Sequence, residues 1–349
     1  MRFLWLIVIL GILFVYSCSD DGLTPAKHKF KVAAILDLSG HYSQFGIEVQ
    51  RGMELYLESD KTAEFEIEYY DSEGFADKAL TLFNQASADT NVKAVITLAS
   101  WISNAVAPVA KMKNVLHYAV GSAVFDFPDN GNTVRFTGDV SDESIYMIDY
   151  LKGFNSVGLM FFNNDYGKGW ESRLTTALGS KLQITRSYTD TDTYFTTILQ
   201  EMKTANPEII VLISTREAVE ITKQAKQLGI SSKLLGNRPI LTDTLLKEPA
   251  ANGLVFTYPD LNDVHQSFKN YVAKYGKKPS AFVAEGYDLA ETLDKATISK
   301  KFDRSNVYNY YKNQSFTGMF TKIEFDSNAQ ANSKYNLMII KDGNYQDYK

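Results

Sequence analysis

The sequence predicts an α/β fold made of two doubly wound parallel-sheet lobes. Three observations carry this. Short apolar runs alternate with segments of helical spacing from Lys29 onward. The same rhythm restarts at Ser156. At about 150 residues per domain, 349 residues give two domains.

Lys29–Leu38 is dense in branched apolar residues and stops at Ser39-Gly40, so it reads as a buried strand. Gly46–Ser59 places Val49, Met53, Leu55 and Tyr56 at helical spacing. Phe65–Tyr70 alternates as a strand, and Ala76–Ala88 is helical. Lys93–Leu98 reads as a buried strand, Ser103–Lys113 as a helix and Val115–Val120 as a strand. A β-α-β series of this kind puts a parallel sheet between helices on both faces. The second series runs strand Ser156–Phe162, helix Gly167–Leu178, strand Lys181–Tyr188, helix Tyr194–Ala205, strand Glu208–Ser214, helix Glu217–Leu228 and strand Lys233–Leu235. Gly253–Thr257 is followed by helices near 261–275 and 280–300. The segment 321–349 reads as strands with a turn at Asp342-Gly343-Asn344.

Composition is ordinary for a globular chain, and a net charge of −5 gives no sign of a nucleic-acid binder. A single cysteine, Cys18, excludes an intramolecular disulfide. It follows a 14-residue uncharged apolar run, Phe3–Tyr16, with Arg2 before it. A spanning helix needs about 20 residues, so the run fits the apolar region of a signal peptide. Val15-Tyr16-Ser17-Cys18 resembles a bacterial lipobox, with Tyr16 bulkier than usual. Residues 1–17 are then a lipoprotein signal peptide, and 18–28 a tether lipidated at Cys18. Two acyl chains hold stably where one is marginal. The localisation expected is the bacterial cell envelope, facing the periplasm or the cell surface.

Signatures of chemistry are missing. No G-x-G-x-x-G follows the first strand, and there is no P-loop, H-E-x-x-H or G-x-S-x-G. The four histidines are scattered without a metal-binding pattern. No catalytic residue, metal or cofactor is assigned, and a binding protein is favoured over an enzyme. Ligands of doubly wound sheets sit beyond the carboxyl ends of the strands. In the loop Ser39–Gly46, Tyr42 and Phe45 are candidate contacts, or the loop is a solvated turn. Ser100 and Trp101 precede the third helix; the tryptophan is a ligand wall or core. Gly121-Ser122-Ala123 leaves room for a ligand or is a tight exit turn. In the second lobe Tyr166 offers a flat face with a hydroxyl. Arg238 offers a fork for a carboxylate, or is a surface arginine.

The segment KVAAILDLSGHYSQFGIEVQRGMELYLE resembles the opening of the branched-chain amino acid–type solute-binding proteins, the type I periplasmic-binding fold. Further stretches resemble that family in order: AVITLASWISNAVAPVAK, VRFTGDVSDE, VGLMFFNNDYGKGWESRL, PEIIVLISTREAVEITKQAKQLGI, PSAFVAEGYDLAETLDKA and FTGMFTKIEFDSNA. The resemblance covers about 29–349. It implies a three-crossing hinge near Thr137, Thr257 and Gly318–Thr321. Lobe one is then 29–136 plus 258–319, and lobe two 137–257 plus 320–349. It also implies a small-molecule ligand buried by closure, and an ABC permease that recognises the closed form. Carried over by position, the contacts are Phe45, Ser100, Trp101, Gly121, Ser122, Ala123 and Tyr166, with Ser214 where relatives often have an aromatic. Arg238 falls near the acid that holds the ligand's ammonium in amino-acid receptors, with Asp243 or Glu285 as possible substitutes. With no evident acid beside Arg238, a carboxylate or neutral ligand is expected rather than an ordinary α-amino acid. A sensor of the same fold, coupled to a receptor or signalling partner, is the alternative role.

Overall fold

A computed structural model describes residues 29–124, 131–189, 191–297 and 302–349. The signal peptide, Cys18 and the tether lie outside the described residues. The first series comprises β1 (Phe30–Leu36), α1 (Ser43–Ser59), β2 (Phe65–Asp71), α2 (Ala76–Ala86), β3 (Val92–Leu98), α3 (Ser100–Met112), β4 (Leu116–Val120) and β5 (Thr133–Arg135). Its strands form a parallel sheet in the order β2-β1-β3-β4-β5. The branched run expected as the first strand lies inside that sheet, between β2 and β3: Val32 to Leu36 have no solvent exposure, as a strand covered on both faces requires.

The second series comprises α4 (Val140–Leu151), β6 (Val157–Phe162), α5 (Asp165–Leu178), β7 (Leu182–Tyr188), α6 (Thr196–Ala205), β8 (Ile209–Ile213), α7 (Ala218–Gln227), β9 (Lys233–Gly236), α8 (Asp243–Leu246) and β10 (Val255–Pro259). Then come α9 (Gln266–Tyr275), α10 (Ala281–Thr297), α11 (Arg304–Tyr311), β11 (Ser315–Phe316), β12 (Ile323–Phe325), β13 (Ala331–Ser333), β14 (Tyr335–Lys341) and β15 (Asn344–Asp347). The second sheet has the order β15-β14-β10-β9-β8-β6-β7. Its β6–β10 pairs are parallel; β14 and β15 are an antiparallel edge turning at Asp342 and Gly343, both at positive φ.

Several elements differ from expectation. The helix after β3 starts at Ser100, three residues early, because Ala99 (φ 82°) breaks the chain direction ahead of it. β5 and α4 were not expected. The three-residue β5 is too short to show a period, whereas α4 carries a legible start signal. Asp139 accepts from Ser141 N at 2.7 Å while Asp142 accepts from Asp139 N at 3.0 Å, a reciprocal cap. Finally, residues 320–333 were assigned to the second lobe. Instead β11, β12 and β13 form a small sheet of their own, bridged at Arg135–Gln330 to β5 of the first. Phe325 packs on Phe136 and Tyr311, ring centroids 5.4 and 5.2 Å apart. The chain enters the second sheet only at Tyr335, which pairs with Pro259.

α1 and α10 pack backbone to backbone. A Cβ on Gly52 would lie 2.1 Å from Val283 O, and one on Gly286 would lie 2.1 Å from Val49 O, so this approach is open only to glycine. The contact brings residues 281–297 beside the β1–α1 loop.

Two buried groups give the fold opposed pH dependences. Burial lowers the His117 pKa to about 3. The unfolded ring protonates near the ordinary value of about 6.5, so this term is lost as pH falls from about 6.5 to 3. Asp288 accepts from Met319 N and Phe320 N at 2.7 and 3.0 Å, and burial raises it to about 7. Its term is present below the unfolded value and is lost as pH rises from about 4 to 7. Between pH 4 and 6.5 the two cancel. Asp288→Asn removes one, so its stability in urea measured relative to the parent should rise with pH by about 1.4 kcal/mol per unit over that window. A flat difference between variant and parent would refute the assignment.

Candidate functional site

The carboxyl ends of β1, β3 and β4 in the first sheet, and of β6, β8 and β9 in the second, face one cavity. Six aromatic residues line it. Tyr42 packs on Trp101 and Phe162 (centroids 5.1 and 6.2 Å), and Phe45 packs on Phe282 (4.6 Å). Leu98, Ile102 and Ile213 add aliphatic surface; Ser100, Asn164, Tyr166, Ser214 and Thr215 add polar atoms.

Local rules place these groups. Gly46 lies at the start of α1 because a Cβ there would fall 1.8 Å from Asp37 O. Asp37 holds the loop by accepting from Gly40 N at 2.6 Å and Tyr42 N at 2.8 Å. Gly167 repeats the device in the other half, its Cβ position 1.8 Å from Phe162 O. Asn164 caps α5 by accepting from Gly167 N at 2.9 Å. α3 has no side-chain cap, so its first turn presents backbone amides toward the cavity. Ala99, a non-glycine residue at φ 82°, ψ 146°, aims that turn, a strained arrangement of the kind found at binding sites.

Of the ten residues singled out as contacts, Tyr42, Phe45, Ser100, Trp101, Gly121, Tyr166 and Ser214 line this cavity. Three do not. Ser122 is buried behind it, bonded to Ser103 Oγ at 2.6 Å. Ala123 belongs to the core of the second half and accepts from Val140 N at 2.9 Å. Arg238 is neither a free fork nor a surface residue. It is 3% exposed and forms an ion pair with Glu285, itself 1% exposed, and its guanidinium lies 4.9 Å from the Phe282 centroid. The acid sought beside Arg238 is thus Glu285, 47 residues on in sequence and on α10. Asp243 instead pairs with Lys277 at the surface.

The same network gathers the segments between the sheets. Glu285 also accepts from Gly121 N at 3.0 Å and Thr137 Oγ1 at 3.1 Å. Glu143 accepts from Arg238 N at 2.8 Å and from Thr257 Oγ1. Burial raises both carboxyls, and Arg238 opposes that shift at each.

At the cavity mouth His41, from the β1–α1 loop, lies between Glu217 and Arg216 of the β8–α7 segment. Its Nε2–H donates to Glu217, and Arg216 donates to Nδ1. Burial would raise the Glu217 carboxyl, but hydrogen bonds from His41 and Thr215 hold it below its ordinary value.

Asp37, Phe162 and Phe282 were missed. Phe162 ends a strand and was legible as a position. Phe282 starts α10, and only the packing of α10 on α1 brings it to the wall.

Among the described residues no cluster of three metal-ligating side chains occurs, and no helix is long and apolar enough to cross a membrane.

A sequence profile of periplasmic binding proteins matches residues 29–344. The chain belongs to the periplasmic binding protein family. A search of curated proteins returned no match. Among solved structures, an extracellular ligand binding receptor from Desulfohalobium retbaense is 31% identical over 92% of this chain, with a TM-score of 0.88. This chain spans 60% of that receptor's length. A branched-chain amino acid transporter substrate binding protein from Streptococcus pneumoniae, in complex with isoleucine, is 20% identical, with coverage of 91% and 98% and a TM-score of 0.84. A solute binding protein of an ABC transporter from R. palustris, in complex with benzoate, is 18% identical, with coverage of 92% and 95% and a TM-score of 0.82. This periplasmic binding protein therefore shares the type I fold with proteins whose ligands differ.

Proposed function

We propose that this periplasmic binding protein is anchored by lipid at Cys18 on the outer side of a bacterial membrane. There it captures a small carboxylate-bearing molecule (amino acid, amide or organic acid) between two lobes and delivers it to an ABC importer. It performs no chemistry. The observation that carries the reading is the aromatic cavity built by strand-end loops of both sheets. Such a site desolvates an apolar ligand while pairing its few polar atoms. The strand pairings support lobe limits of 29–136 plus 261–333 and 137–260 plus 334–349. Native mass spectrometry of the full-length protein, extracted in mild detergent, tests the whole reading. A co-purified acid or amide of low mass, together with a diacyl mass increment on an N-terminal Cys18, is the expected result. An empty protein that binds no small carboxylate would overturn it.

His41 acts as a latch across the mouth. His41→Ala should release ligand about 3- to 10-fold faster, since partly exposed charge contacts are worth about 1 kcal/mol and act mainly on dissociation. Its thermal midpoint should stay within about 2 °C of the parent's. Stopped-flow displacement of the co-purified ligand measures the rate, and an unchanged rate would refute the latch.

A further inference from the structure

The hydrogen-bonding balance of the cavity is one-sided. Ser100 Oγ already accepts from Val124 N at 3.3 Å, so its own proton is left for the cavity. Ser214 Oγ likewise accepts from the Tyr188 hydroxyl at 2.7 Å. The Tyr166 hydroxyl accepts from Asn237 Nδ2 at 3.0 Å and keeps its proton to give. All three side chains are at least nine-tenths buried. The first-turn amides of α3 are further donors, because Ser103 N is the first to find a carbonyl, Ala99 O.

Acceptors are fewer. Gly74 O already takes the Trp101 indole N–H at 3.0 Å, and Thr215 Oγ1, which gives its proton to Glu217, keeps only lone pairs for the cavity. Asp37 is the one acidic side chain on the wall among the described residues, and each of its oxygens already holds a loop amide. Glu285, the acid nearest the floor, is neutralised by Arg238. A ligand ammonium would therefore meet mainly donors. A carboxylate would meet donors from both halves. The remaining surface is rings and the aliphatic side chains of Leu98, Ile102, Ile213 and Pro239.

We infer that the cavity takes an aromatic carboxylate that lacks an α-ammonium group, and that it discriminates against the matching amino acid. This rests on the reading of the cavity as the ligand site. The matching amino acid would pair the same donors through its carboxylate but would bury its ammonium where acceptors are scarce, and an unpaired buried charge is strongly disfavoured.

Calorimetry on the detergent-purified full-length protein, freed of bound ligand by dialysis against denaturant and refolded, tests this with matched pairs. Phenylacetate is compared with phenylglycine, and 3-phenylpropanoate with phenylalanine. The acid of each pair should bind at least 30-fold more tightly. Ser100→Ala should weaken the acid by about 10-fold or more, and Ser100→Thr, which keeps the hydroxyl, should restore most of the loss. Equal or tighter binding of the amino acids overturns the inference and leaves the binding-protein reading standing. Silence from both acids overturns it as well. A low-mass ligand in the native spectrum would then still support the broader reading, and an empty spectrum would sink both.

Discussion

Glu285→Ala should cost about 3–5 kcal/mol of unfolding free energy, because it strands the Arg238 guanidinium in a dry site. Arg238 is 3% exposed and Glu285 1%. The substitution also strips an acceptor from Gly121 N and Thr137 Oγ1, so the loop under the cavity and the first crossing loosen together. Urea denaturation followed by far-UV circular dichroism measures the loss. The double replacement Arg238→Met with Glu285→Leu removes both charges and should recover most of it, since an apolar pair of similar volume roughly matches a buried ion pair. A loss below about 1 kcal/mol for Glu285→Ala would mean that Arg238 finds another partner. Glu143, which accepts from the Arg238 backbone, is the group placed to provide one.

Trp170→Ala is the second large effect. Trp170 has no solvent exposure and packs among Met147, Leu159, Leu174 and Ile213 in the core of the second half. Removing so large a buried ring costs about 3–5 kcal/mol, part transfer and part cavity. The ring also backs Tyr166, centroids 6.5 Å apart, so the cavity wall should lose its fixed position along with stability. The denaturant midpoint should fall, and affinity for the co-purified ligand should fall with it. Trp170→Phe, which refills most of the space, should restore both in large part. A variant that loses stability but keeps full affinity would show that Tyr166 does not depend on this support.

Much of the fold was legible because each parallel strand is a local record of its own burial. The run from Val32 to Leu36 must be apolar throughout, since helices cover both faces, and that continuity shows in five consecutive residues. The helices showed by period for the same reason. Elements whose stability is not local were unreadable. β5 has three residues and exists through its pairing with β4. β12 and β13 were legible as strands, but not the small sheet they form with β11, because pairing partners leave no trace in a strand's own sequence.

The candidate site divides along the same line. Loops that leave a strand and enter a helix can be found from the order of elements, and Tyr42, Phe45, Ser100, Trp101 and Tyr166 were found that way. Arg238 shows the limit. Its charge was visible, but the group that neutralises it sits on α10, reached through two glycine contacts between α1 and α10.

The sequence by itself determined two β/α series, the loops that face a ligand and the absence of motifs for catalysis, because these follow from local burial, period and spacing. Only the tertiary structure decided which of those loop residues reach the cavity, which charges are already paired beside it, and which strands the residues 320–333 pair with. Those outcomes depend on groups far apart in the chain meeting in one dry volume, where a proton donor or a charge is worth several times what it is in water.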